Sequence, residues 1–126
     1  FDLTIVAPTE KTVIANGQLV STQFKRDKNY FRFDMQEPMS SYLVAFAIGD
    51  FKKNTIYSSS DIPIELYYEA KDSLKVEPTY RYTKDIFDFL ESEIGVAYPW
   101  QNYKQVPVRD FLYAGMENTT ATKVIP

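Results

Sequence analysis

Phe111-Leu112-Tyr113-Ala114-Gly115-Met116-Glu117-Asn118 holds one of the chain's four glycines and an isolated carboxylate, and it contains no proline. Apolar and aromatic residues lead into it, and a polar, β-branched run, Thr119 to Val124, leads out. This pattern favours extended backbone at a sheet edge, where glycine lets a second backbone approach closely. Glu117 then stands beside whatever docks there. Taken alone, the segment reads first as an ordinary edge strand with a solvent-facing glutamate.

Upstream, the spacing predicts a helix from Glu77 or Pro78 to Ile94. Proline suits a first helical turn, and Gly95 suits the position just past the last one. Tyr82, Ile86, Phe89, Leu90 and Ile94 recur at three- and four-residue steps as an apolar face. Lys84, Asp85, Asp88 and Glu91 fall on the other side and read as a solvated face rather than a paired-carboxylate site. Trp100, the only tryptophan, sits beside Pro99 as a packed anchor. Tyr103 to Phe111 alternates as a strand, and Pro107 inside it demands an edge position or a bulge.

The first half reads as strands. Phe1 to Ala7 alternates from the first residue, as if the chain were cut from a larger protein. Thr12–Ala15 is a second strand, Asn16-Gly17 a turn, and Gln18–Phe24 a third strand. Lys25 to Asn29 is a charged tip, and Tyr30–Met35 returns with Phe31, Phe33 and Met35 on one face. The apolar run Met39–Phe51 predicts a single strand covered on both faces, with Lys52–Tyr57 extending it as a polar edge. Ser58-Ser59-Ser60-Asp61 is the best domain boundary, and Ile62–Glu69 opens a new unit as a strand.

Composition sets limits on function. The 126 residues are 44% hydrophobic and 25% charged, typical of a folded domain, and 10 Tyr with 9 Phe favour packed strands. A net charge of −3 gives no electrostatic case for nucleic acid. No apolar run approaches the roughly 20 residues of a membrane span. The chain has no histidine and no cysteine. The usual catalytic zinc site and the His-dependent nucleophile systems therefore cannot form within it, and the compartment is undetermined.

Ala114-Gly115-Met116-Glu117-Asn118 resembles the Gly-x-Met-Glu-Asn exopeptidase motif of the M1 zinc aminopeptidases, with alanine where many members have glycine. The order of the other motifs carries the same resemblance. Phe1-Asp2-Leu3-Thr4-Ile5, the Asn16-Gly17 turn, and Pro38 to Phe46 with Gly49-Asp50-Phe51 look like the end of that family's N-terminal β domain. The helix, Gly95, Tyr98-Pro99-Trp100, Gln105-Val106-Pro107-Val108 and the exopeptidase motif then follow in family order. The resemblance covers nearly the whole chain.

It implies a β-rich α+β fold in two pieces. Residues 1–57 would end an N-terminal β domain of antiparallel strands. Residues 58–126 would begin a thermolysin-like catalytic domain as strand, helix and strand. Glu117 would hold the substrate's free α-amine through a charge-assisted hydrogen bond worth about 1.5–3 kcal/mol. The backbone of Ala114, Gly115 and Met116 would pair with the substrate as an added strand. Tyr113 would wall the pocket for its first side chain, and Asn118 would orient the segment.

The family's zinc motif lies downstream of such a fragment. Zinc is therefore expected in the intact parent, with no metal ligand and no catalytic residue in this chain, which alone should be inactive. The implied partners are a peptide with a free N-terminus and the remainder of the parent. Self-association through the uncovered apolar faces of Ile86, Leu90 and Phe111 is also expected. Two other readings stay open: a free-standing β-rich peptide-binding module, and a degenerate M1 relative without zinc ligands.

Overall fold

The computed structural model describes residues 1–126, in which ten strands form three sheets and two short helices accompany two 3-10 turns. The fold is β-rich α+β. In the first sheet β1 (Asp2–Pro8) and β3 (Gln18–Lys25) flank β4 (Lys28–Asp34), all antiparallel. The β3–β4 hairpin closes tightly, because Arg26 and Asp27 both adopt left-handed backbone, with φ 51° and 63°. Two successive positive φ values are what a two-residue hairpin turn of matching twist requires. The charged tip is thus shorter than the sequence implies. Phe33 and Met35 face inward as expected and are almost wholly buried, while Phe31 packs beside them partly covered.

Asn16-Gly17 does turn the chain, but between sheets. β2 (Thr12–Ala15) pairs antiparallel with β5 (Phe46–Gly49), and β3 leaves for the first sheet. Gly17 has φ 81°, and a Cβ there would lie 2.3 Å from the Asp34 carbonyl oxygen, so only glycine fits.

The reading of Met39–Phe51 as one strand covered on both faces is overturned. Ser41–Leu43 forms a 3-10 turn, β5 follows, and after a bend at Asp50 the chain continues as β6 (Phe51–Tyr57). Ala45, Ala47 and Gly49 turn partly inward, and Val44, Phe46 and Ile48 are exposed. The strand covered on both faces is β2. Val13 and Ala15 join Ile5, Ala7 and Phe33 in one core, while Ile14 joins Tyr67 and Val106 in another. An apolar run measures hydrophobicity, whereas two-sided burial depends on which sheets close around it.

The third sheet has the order β6, β7 (Pro63–Glu69), β8 (Tyr103–Pro107), β10 (Thr122–Val124), β9 (Gly115–Met116). β6 is its polar edge, as anticipated. Because β6 and β7 pair antiparallel along their whole length, this sheet takes in residues on both sides of the Ser58–Asp61 turn. β8 lies between two parallel neighbours and is neither an edge nor a bulged strand. Pro107 is tolerated because pairing with β7 ends at Gln105, so no β7 carbonyl needs its missing N–H.

The long helix divides into α1 (Val76–Tyr80) and α2 (Thr83–Ile94); the apolar face of Ile86 and Leu90 is uncovered as expected, but the reading of Asp88 and Glu91 as a solvated face is overturned. Ile86 is 56% exposed and Leu90 49%, whereas Phe87, Asp88 and Glu91 are partly covered. Phe87 packs on Tyr98 and Tyr103, with ring centroids 5.0 and 6.0 Å away. Asp88 accepts hydrogen bonds from Ser59 N–H and Oγ, both 2.8 Å, and also pairs with Lys84. Glu91 accepts from Ser60 Oγ at 2.6 Å and from Tyr98 N–H at 2.8 Å. The helix is therefore latched through polar groups to the Ser58–Ser60 turn. Lys84 first, and then the Ser59 donors, hold the Asp88 carboxyl at about 2. Gly95 closes α2 in left-handed backbone, φ 71°, with its N–H on Glu91 O. Trp100 is half-buried against Tyr98. No helix is long and apolar enough to cross a membrane.

Candidate functional site

β9 is two residues long, lies at the open end of the third sheet and pairs only with β10, Met116 opposite Lys123 and Gly115 opposite Val124. The Ile125 N–H donates to Ala114 O at 3.1 Å, and the Val124 carbonyl accepts from Val108 N–H across the sheet at 2.8 Å. In an antiparallel ladder, hydrogen-bonded and non-hydrogen-bonded pairs alternate. Val124 turns its carbonyl toward β8, so Gly115 opposite it turns its own N–H and C=O to the open edge. The Ala114 carbonyl is taken by Ile125. Of the three residues expected to offer backbone outward, Gly115 is the one this register presents.

Nothing within the chain demands glycine at position 115. A Cβ there would meet Lys123 O at 3.4 Å and Val124 Cγ1 at 3.9 Å, ordinary contact distances. Glu117, the next residue but one, is exposed and takes part in no ion pair or side-chain hydrogen bond.

Tyr113, Met116 and Asn118 contribute to an open groove of about 470 Å³ on one side of this strand. Phe111 adds to the same wall, its ring edge-on to Tyr113 at 6.2 Å. Val44, Ala45, Phe46 and Lys123 also line the groove. Ala114, Gly115 and Glu117 do not line the groove. The six residues singled out from the sequence thus divide between an apolar groove and an outward-facing edge.

Asn118 is buried and donates to Leu43 O at 3.2 Å. It belongs to a polar hub that sequence reading missed. The fully buried Asn16 donates to Leu43 O and Thr119 O and accepts from Ala45 N–H at 2.6 Å. Thr120, at φ 60°, accepts the Gly17 N–H on its Oγ1 at 2.7 Å. Lys104, 2% exposed, donates to Gly17 O, to Asn102 Oδ1 at 3.1 Å and to Thr120 O at 3.4 Å. Burial pushes its ammonium down to about 8. The Asn16-Gly17 turn is thus bonded directly to the end of the Glu117-bearing segment, some hundred residues along the chain. A lysine inside the alternating strand Tyr103 to Pro107 was the available signal.

No cluster of three or more carboxylates forms a metal-binding arrangement, and the chain has neither histidine nor cysteine. The residues present do not fit a zinc ion.

No protein-family profile matches the chain. Curated proteins with similar sequences do. Glutamyl aminopeptidase of Bos taurus is 33% identical over 86 residues, 68% of this chain and 9% of that protein. Glutamyl aminopeptidase of Bitis rhinoceros is 30% identical over 111 residues, 88% of this chain and 11% of the relative. Aminopeptidase N of Streptomyces lividans is 27% identical over an alignment of 129 residues, 98% of this chain and 15% of the relative. The chain is a relative of the M1 aminopeptidases. It spans between 9% and 15% of the length of these three proteins.

Proposed function

We propose that this chain is the part of a zinc aminopeptidase that receives the peptide substrate. The substrate's backbone adds to the open edge of β9 at Gly115, with Ala114 and Met116 shaping that edge. Glu117 takes the free α-amine, and Tyr113 walls the pocket for the first side chain. Asn118 holds the segment in place through Leu43 O. Residues 1–57 would end the parent's N-terminal β domain, and residues 58–126 would begin its thermolysin-like catalytic domain. The zinc and the residues that break the bond would come from elsewhere in the parent.

The observation that carries this reading is the pairing of an open-edged Gly115 with an exposed, unpartnered Glu117 two residues on. An ammonium beside that carboxylate gains a charge-assisted hydrogen bond that an acylated N-terminus cannot make. Calorimetry with a short peptide and its N-acetylated form tests it. The free amine should bind at least about fivefold more tightly, and Glu117→Gln should erase the difference. Equal affinity of the two peptides for the unmutated chain would sink the reading. The chain with added zinc should not cleave an aminoacyl chromogenic amide above a Glu117→Ala control.

A further inference from the structure

Lys123, one of the residues lining the groove, carries a charge that the peptide-clamp reading does not use. Lys123 is 6% exposed, its Nζ is sealed from solvent, and that nitrogen has no hydrogen-bond partner. Its position follows from register. Lys123 pairs opposite Met116, and side chains of directly opposed residues emerge on the same face of a sheet, so both reach the groove. The walls offer no anion. Val44, Phe46, Phe111 and Met116 are apolar, and Tyr113 and Asn118 are neutral. Lys104, on the adjacent strand, is also buried but has three oxygen acceptors around its ammonium.

An ammonium without acceptors in an apolar setting is costly, and the structure relieves that cost for one buried lysine and not the other. The missing partner must be small enough for the groove, anionic at one end and apolar elsewhere. A carboxylate satisfies the ammonium directly, and its hydrocarbon body replaces water along the apolar walls. Phosphate fits less well, since one lysine and a neutral amide cannot neutralise a dianion.

We propose that the groove is a binding site for a carboxylate attached to an apolar body, with Lys123 as the anion-binding residue. The carboxylate could come from a free organic acid or from an acidic side chain of a peptide. The chemistry is the same in both. The site does not use Glu117, but it shares Tyr113 and Met116 with the proposed peptide clamp, and the acid–amide comparison reads it separately from the free-amine comparison.

The test is a titration of the chain followed by backbone amide chemical shifts, using 3-phenylpropanoate and its neutral counterpart 3-phenylpropanamide. The acid should perturb amides at 44–46, 111–118 and 122–124 and bind about tenfold more tightly than the amide. Lys123→Met should remove that preference, and Lys123→Arg should retain most of it. The comparison on the unmutated chain decides by itself if a variant does not fold. Equal binding of acid and amide, perturbations that map elsewhere, or a preference surviving in Lys123→Met would each overturn the assignment. A pentapeptide with one glutamate among apolar residues, compared with its glutamine counterpart, identifies the source. A Lys123-dependent preference in the peptide pair assigns the site to side-chain carboxylates. The same preference confined to the free acid assigns it to small organic acids.

Discussion

Lys104 and Lys123 lie on neighbouring strands of one sheet, each nearly inaccessible to water, and their surroundings differ completely. Around Lys104 the chain converges from three places, Gly17, Asn102 and Thr120, and supplies oxygen to the ammonium. Around Lys123 it supplies aromatic and aliphatic walls and no acceptor. Burial depresses both ammonium groups to about 8. One buried charge organises the fold, and the other is left for something outside it. A lysine's burial therefore says little until its acceptors are counted.

The largest expected effect tests the organised side. In Gly17→Ala the new Cβ would collide with the Asp34 backbone at 2.3 Å, in a left-handed conformation that alanine disfavours. Backbone cannot yield as a side chain can, so the loss should be about 3 kcal/mol or more by urea unfolding. A loss below 1 kcal/mol would mean that the turn relaxes freely and does not anchor Lys104.

Asn16→Ala comes next. It strips the partners of Thr119 O and Ala45 N–H, while Leu43 O keeps its bond from Asn118. Two orphaned groups and a small cavity should cost about 2–3 kcal/mol. Because Asn16 and Asn118 share Leu43 O, the double alanine variant should be non-additive. Strict additivity would show that the hub is not one network.

The smallest effect carries the comparison itself. Lys104→Met should destabilise by about 1–2 kcal/mol, because Asn102 Oδ1 loses a donor, whereas Lys123→Met should stabilise by about 1 kcal/mol. Losses of equal sign and size would erase the distinction. The pH dependence gives a second reading. Both lysines have folded values below their ordinary 10.5, so the unfolded chain holds more protons between about 8 and 10.5. Their contribution to stability grows as pH rises through that window and is lost as pH falls through about 8. Burial lifts Tyr80 to about 12, which opposes this rise once unfolded tyrosine ionises, so thermal melts belong between pH 8 and 10. Over that range the unmutated chain should gain on Lys123→Met.

Much of the strand content was legible because alternation is a local signal. Phe31, Phe33 and Met35 share a face in any strand that contains them, and Gly95 ends a helix wherever the helix lies. The polar face of α2 was misread for a physical reason. Periodicity identifies two faces, but which one docks depends on the partner, and here Ser59 and Ser60 meet Asp88 and Glu91. Pro107 misled similarly, because its cost depends on whether a neighbouring strand reaches it. At the candidate site, Tyr113 to Asn118 could be named from their order. Lys104, Lys123 and the closure of Asn16 onto Thr119 could not, since the groups that surround them come from segments distant in sequence.

Sequence by itself determined the β-rich class, the relationship to the M1 aminopeptidases and the inability of this chain to build a histidine or cysteine metal site. These follow from residue identity, period and motif order, which are properties of the chain read in one dimension. The tertiary structure alone decided that β9 closes the end of a five-stranded sheet with Gly115 facing outward. It alone separated Lys104 from Lys123, because hydrogen-bond satisfaction is settled only when distant segments meet.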